Sequence, residues 1–256
     1  MANCEHQNAT SGGRRLVVLL CAALLTSTAF AETALTPHTA VYEVKISVLS
    51  GQLNTELRST ATGYAATHVI KPTGMSRMLA RGSISETSEF SSTAHGVRPK
   101  VYSSKDTISR DKADAYIRFD WETGEARGTV NGEEVLSVMD DLAHDRVSIQ
   151  YELMYDMLHD GLSEHYTMFE IDQLRTVDVR NIGARTVKVP AGKFEVVGIQ
   201  HQAEGSKRKT TFWCAPELEY LPVIIEQHRR EKLKVRAELS GYTPAVDSQT
   251  VGLQSL

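Results

Sequence analysis

Cysteine is nearly absent from this sequence, and so is any apolar run long enough to cross a bilayer. Three cysteines occur in 256 residues, and two of them, Cys4 and Cys21, lie in the first 31 positions. Only Cys214 remains for the rest of the chain, which excludes an internal disulfide there even in an oxidising compartment. The apolar stretch Leu16 to Leu25 is ten residues long, about half of what a spanning helix takes. Catalytic signatures are missing as well. No G-x-S-x-G elbow occurs, and the nine histidines form neither H-E-x-x-H nor a pair spaced for a metal beside a carboxylate. Asp140 and Asp141 are adjacent, so in a strand they would point to opposite faces; they read as the loop into a helix. No excess of positive charge exists either: 28 basic residues against 32 acidic give a net charge of −4, which argues against a general nucleic-acid binder.

What is present begins with a leader. Arg14 and Arg15 precede the apolar run, and Ala29-Phe30-Ala31 supplies an A-x-A cleavage pattern. Residues 1–31 are therefore expected to be a cleavable signal peptide. The expected destination is the periplasm, with outer-membrane association or secretion as alternatives. A retained anchor is the rival reading. Lipidation fits poorly, because Cys21 lies inside the apolar run behind the bulky Leu20. Removing 31 of 256 residues leaves 225, and the loss of Arg14, Arg15 and Glu5 moves the net charge to −5. That length suits one domain over 32–243, followed by an aperiodic tail at 244–256.

The body of the chain reads as strands. Tyr42, Val44, Ile46 and Val48 alternate with polar residues, and Ser50-Gly51 is the expected turn. A meander follows over 113–121, 125–130 and 133–139, with Asn131-Gly132 as a type I′ hairpin turn. Further strands are expected over 165–171, 174–182, 186–189, 194–203, 207–214, 221–228 and 233–242. One segment differs. Val147, Tyr151, Met154, Tyr155 and Leu158 recur at helical spacing between Asp145, a capping residue, and Gly161, a stop. The pattern predicts a mainly β fold: a long curved antiparallel sheet, or half-barrel, with one covering α-helix. Val147, Tyr151, Met154 and Leu158 would face the concave side. A transmembrane barrel fits less well, because outward positions carry Lys, Arg and Glu.

Several features compete between a functional and an ordinary reading. Met75, Met78 and Leu79 sit at i, i+3, i+4 in a short turn flanked by Arg77 and Arg81. That turn either packs on its own core, caps a cavity, or touches a membrane surface. Lys207-Arg208-Lys209 and Arg229-Arg230 lie at two hairpin ends, and they merge into one basic patch if those hairpins are neighbours. Otherwise they are turn charges that protect an edge. Cys214, on a strand beside Trp213, reads as a small buried hydrophobe. His159, at the helix end, reads as a cap partner.

The stretches GARTVKVPAGKF (183–194), TTFWCAPELEYLPVIIEQ (211–227 with Thr210) and RAELSGY (236–242) carry a family resemblance. With YEVKISVLSGQL, GVRPKVYSSKD, the FDW strand and DRVSIQYEL, the chain over about 40–243 resembles the bacterial envelope proteins grouped as domain of unknown function 3108. The resemblance implies an envelope location and a curved sheet similar to the half-barrels of lipoprotein-carrier proteins. It implies no activity and no catalytic residues. Cys214 departs from it, standing where an aliphatic residue is more usual.

Three functions follow as expectations. The first is a non-catalytic carrier or binding domain for a lipid or small apolar ligand, with no cofactor, no metal and no nucleic acid. It would not be an integral membrane protein after cleavage. The second is an envelope structural or assembly protein that docks a protein partner, and the third is an enzyme with an unfamiliar site. A ligand-sized cavity favours the first and a filled core the second. For the leader itself, intact-mass measurement of exported protein should show a mature N-terminus at Glu32; retained residues 1–31 would refute the cleavage site.

Overall fold

The computed structural model describes residues 35–108, 114–159, 161–170 and 172–245. The expected leader and the tail beyond 245 lie outside the described residues. Fifteen strands dominate what is described. Strands β1 (His38–Ile46), β2 (Leu49–Thr60), β3 (Gly63–Pro72), β4 (Ile84–Thr93) and β5 (Gly96–Asp106) form one meander, continued by β6 (Ala115–Asp120), β7 (Glu125–Val130) and β8 (Glu133–Val138). A single-turn helix, α1 (Ser76–Leu79), lies between β3 and β4. The chain then crosses through the two-residue β9 (Ala143–His144) and α2 (Ser148–Leu158). A second meander follows: β10 (His165–Glu170), β11 (Gln173–Val189), β12 (Gly192–Ala203), β13 (Arg208–Ala215), β14 (Leu221–Arg229) and β15 (Lys232–Pro244).

The first and last strands join the two meanders. β1 pairs antiparallel with β15 from His38↔Pro244 to Ile46↔Val235, so the first and last strands meet in the middle of one sheet. The sheet therefore runs from β8 through β1 and β15 to β9, and every ladder is antiparallel except the short β9–β10 pair. So long a sheet must curl. Its two ends come round to meet, with β8 alongside β11 and β9 alongside β5, but no ladder closes it. The expected mainly β architecture is what the chain adopts.

Several boundaries differ from the sequence pattern. The first hairpin turns at Ser47-Val48, with Ser47 at φ 57°, and Ser50-Gly51 continues into β2. The residues expected as two strands, 174–182 and 186–189, form the single strand β11, in which a bulge between Asn181 and Ala184 absorbs Gly183. Asn131 (φ 53°) and Gly132 (φ 84°) form the expected hairpin turn between β7 and β8.

The helix is enclosed by the sheet rather than laid over it. Its start is held by a reciprocal cap. Asp145 Oδ1 accepts N–H bonds from Val147 and Ser148, each 2.8 Å, while Ser148 Oγ accepts the Asp145 N–H at 2.9 Å. Its end is held by the Gly161 N–H, which donates to the Asp156 carbonyl at 2.7 Å. Between them, every residue from Ser148 to Tyr155 is buried. Val147, Tyr151, Met154 and Tyr155 pack with Tyr42, Leu57 and Phe90, and Leu158 packs at the edge of this cluster. The opposite face, Ile149 and Leu153, packs with Tyr166, Val179, Ile199 and Phe212 of the second meander. The one-sided pattern thus captured only half of the contacts. The concave face, whose filling the sequence pattern left open, is occupied by α2.

Tyr151 is at the centre, fully buried, with its ring centroid 5.3 Å from that of Phe90 and 6.3 Å from that of His68. Placing a carboxylate there would bury a charge without a partner. Tyr151→Asp should cost more than about 3 kcal/mol. Thermal melting checks this, and an unchanged melting temperature would mean that the helix lies outside the core.

Candidate functional site

The strand register gathers the chain's basic residues on one rim. In sheet order, the β3–β4 loop, the β1–β2 turn, the β14–β15 turn and the β12–β13 turn stand side by side. Hydrogen bonds tie them together. Ser50 N–H donates to Ser76 Oγ (2.8 Å), Thr73 N–H to the Ser50 carbonyl (3.0 Å), and Arg230 N–H to the Lys207 carbonyl (3.0 Å). Over residues 45–50, 71–83, 203–209 and 229–234 the sequence supplies eleven Lys or Arg and two acidic residues, Glu204 and Glu231. These four segments thus carry nine net positive charges in a chain of net charge −4.

Like charges face each other there. In the β13–β14 ladder Arg208 stands opposite Arg229, and Lys209 stands opposite His228. Directly opposed like charges destabilise a sheet. Lys209 finds relief in Glu231, at 3.1 Å. For Arg208 the carboxylate that acts favourably is that of Glu170. Burial, together with the charges of Arg146 and Arg229, holds its guanidinium below the ordinary range, and Glu170 opposes that shift. The expected patch Lys207, Arg208, Lys209, Arg229 and Arg230 is brought together by the pairing of these two hairpins.

The Met75–Leu79 turn belongs to the same rim. Ser76 is buried and anchors α1 to β2, while Met75, Met78 and Leu79 are 82 %, 78 % and 78 % exposed. Val48, on the adjacent turn, is 89 % exposed, and Leu233 and Ile46 are exposed beside it. These apolar side chains therefore do not pack on a core of their own. Arg77 and Arg81 flank them, also exposed, and Arg77 Nε donates to the Pro72 carbonyl at 3.3 Å. The sequence showed the two features separately. Only the central β1–β15 pairing places residue 75 and residue 230 on one surface.

A second constellation escaped the sequence reading. His144 Nε2 lies 3.9 Å from Glu152 Oε1 at the base of a cleft of about 470 Å³ that Tyr166, Asp156 and His165 also line. Tyr166 donates its hydroxyl to Asp156 and accepts the Ser163 N–H. Burial pushes the Glu152 carboxyl up to about 8, against the pull of the Val97 N–H, and Asp156 adds to the rise. Burial also drives the His144 imidazole down to about 3. Near neutral pH the pair is therefore an uncharged acid beside an uncharged base. Their side chains are only 4 % and 1 % exposed, and the Glu152 carboxyl accepts the Val97 N–H from β5. Gly96 makes room for it: a Cβ there, at φ +107°, would lie 2.5 Å from Glu152 Oε1. This arrangement ties α2 to β5 at the wall of that cleft. No sequence signal announced it, because Glu152 sits on the helix flank that the apolar spacing had left to solvent.

The remaining features follow the ordinary readings. Cys214 is buried, and burial raises its thiol pKa, which disfavours the reactive thiolate. His159 stacks on Tyr155 at 4.1 Å, with Nδ1 2.8 Å from the Tyr155 carbonyl, at the end of α2. Among the described residues no group of three His, Cys, Asp or Glu could hold a metal ion, and no helix is long and apolar enough to cross a membrane.

Glu152 has a testable pH signature. Its folded pKa lies above the ordinary 4.5, so its contribution to stability is complete below pH 4.5 and is lost as pH rises towards about 8. Glu152→Gln keeps an acceptor for the Val97 N–H but has no proton to lose. Its melting temperature relative to wild type should therefore rise steadily across that window. A constant difference would mean that Glu152 titrates normally.

Comparison with known proteins places this geometry. No curated protein matches the chain. A solved structure, the β-barrel-like protein of domain of unknown function DUF1849 from Brucella abortus, is similar in fold with a TM-score of 0.55 at 12 % identity, covering 83 % of this chain and 99 % of that one. At that identity the likeness concerns the fold alone. The model of a protein of unknown function, DUF3108, matches residues 39–231, which takes in the first meander, the enclosed helix and the second meander as far as the turn before β15, and the chain belongs to that family.

Proposed function

We propose that this chain is a non-catalytic docking protein of the cell envelope, which works through its basic rim and not through an interior pocket. The observation that carries the reading is the pairing of a filled interior with a charged, apolar-tipped rim. A carrier needs a concave apolar cavity, and here Tyr151, Met154 and Leu153 of α2 occupy that space. The rim holds like charges together at a cost in stability, Arg208 opposite Arg229. A fold that tolerates such repulsion gains from it when a negatively charged surface is bound. The leader-like segment at 1–31 supports the envelope as the setting.

Fractionation of cells that express the full chain tests the proposal. Wild type should remain with the envelope membranes. A Lys207→Glu, Lys232→Glu variant with an unchanged melting temperature should pass into the soluble fraction. Retention that ignores the charge reversal would overturn the docking reading. Saturable uptake of a fluorescent fatty acid by the wild-type protein would restore the carrier.

A further inference from the structure

The rim carries two chemistries that a protein partner would not need together in this arrangement. Cations ring it, and four strongly exposed apolar side chains, Val48, Met75, Met78 and Leu79, project from two adjacent turns at its middle. Isolated exposed apolar residues are ordinary on a surface, whereas a group of them bounded by cations is not. Peripheral proteins that rest on a bilayer meet it with apolar side chains inserted among the acyl chains and with Lys and Arg at the headgroup level. Methionine and leucine on a protruding turn suit the first role. Arg77 and Arg81 on the same turn, with Lys45 and Lys71 on the strands beside it, suit the second. No acidic residue interrupts either segment, 45–50 or 71–83.

We infer that the occupant of this rim is an anionic lipid bilayer, with the α1 turn and Val48 inserted and the opposed pair Arg208 and Arg229 bridged by lipid phosphate. This inference rests on the docking reading and names the surface that is docked. The charge complementarity lies at this end of the molecule, where the four segments carry eleven basic and two acidic residues although the chain as a whole is acidic. Phosphate between Arg208 and Arg229 also explains how the ladder accommodates two facing guanidinium groups: the bound anion removes the repulsion that the free protein carries. With α2 lying across the concave face, the acyl chains stay in their bilayer.

Cosedimentation of the full chain with vesicles decides the matter. Wild type should bind vesicles of mixed phosphatidylglycerol and phosphatidylcholine, should release from them as salt rises, and should ignore vesicles of phosphatidylcholine alone. Met75→Ser, Met78→Ser, Leu79→Ser in one protein should weaken binding by about tenfold or more. So should Arg208→Gln with Arg229→Gln, which should also leave the melting temperature unchanged or raised because it relieves repulsion. Binding by the triple serine variant equal to wild type, or no binding of wild type to phosphatidylglycerol vesicles, would overturn the inference. If envelope retention still depends on Lys207 and Lys232 while vesicles bind nothing, the docking reading stands, the lipid is wrong, and the occupant is an acidic protein.

Discussion

Everything in this fold depends on a short helix that has no exposed face over its first two turns. A helix of eleven residues is marginal in water on its own. Here one flank of α2 joins a cluster built from both meanders and the other flank a cluster built from the second meander alone. The reciprocal Asp145–Ser148 cap and the Glu152–Val97 bond fix its two degrees of freedom, where it starts and how it is turned. The β1–β15 ladder then joins the first strand to the last within the same sheet. The sheet curls around this helix, so that α2 lies across its concave face.

That constraint also accounts for the placement of polar groups. Asp145 and Glu152 are buried carboxyls, and burial raises both, to about 6 and about 8. Each is kept by hydrogen bonds that position the helix: Ser88 Oγ donates to Asp145 at 2.6 Å, and the Val97 N–H donates to Glu152. Their role is register. Removing one partner of such a pair leaves the other buried and unsatisfied, which costs more than the bond itself contributes. The rim follows the opposite rule. There, Lys209 pairs with Glu231 while Arg208 stands opposite Arg229, and Val48, Met75, Met78 and Leu79 are left uncovered, although the interior shows that the chain is able to bury such side chains.

The legibility of the sequence varies with the chemistry of each segment. β15 was plain because Leu233, Val235, Ala237 and Leu239 alternate with charged residues, and its boundaries hold except for an extension to Pro244. The helix was plain from one face. The strands β2 to β5 carried little signal, because residues such as those of β4 (ISETSEFSST) are mostly Ser, Thr and Glu, and pairing on both sides rather than an apolar face makes them strands. Gly183 read as a break because glycine weakens a strand locally, yet a bulge absorbs it. The site was legible in pieces. Arg77 and Arg230 lie about 150 positions apart in sequence, and only the ladder between the terminal strands makes them neighbours. The Glu152–Gly96 contact was not legible at all, since it depends on the flank of the helix that the spacing had assigned to water.

The central claim is that this protein acts through its rim because its interior is already occupied. Hydrogen exchange with and without phosphatidylglycerol-containing vesicles tests it directly, residue by residue. The account predicts new protection confined to residues 45–50, 71–83, 203–209 and 229–234, with α2 and the strands around it exchanging as slowly as before. Protection or loosening of α2 and the concave strands on lipid addition, with the rim unchanged, would contradict it.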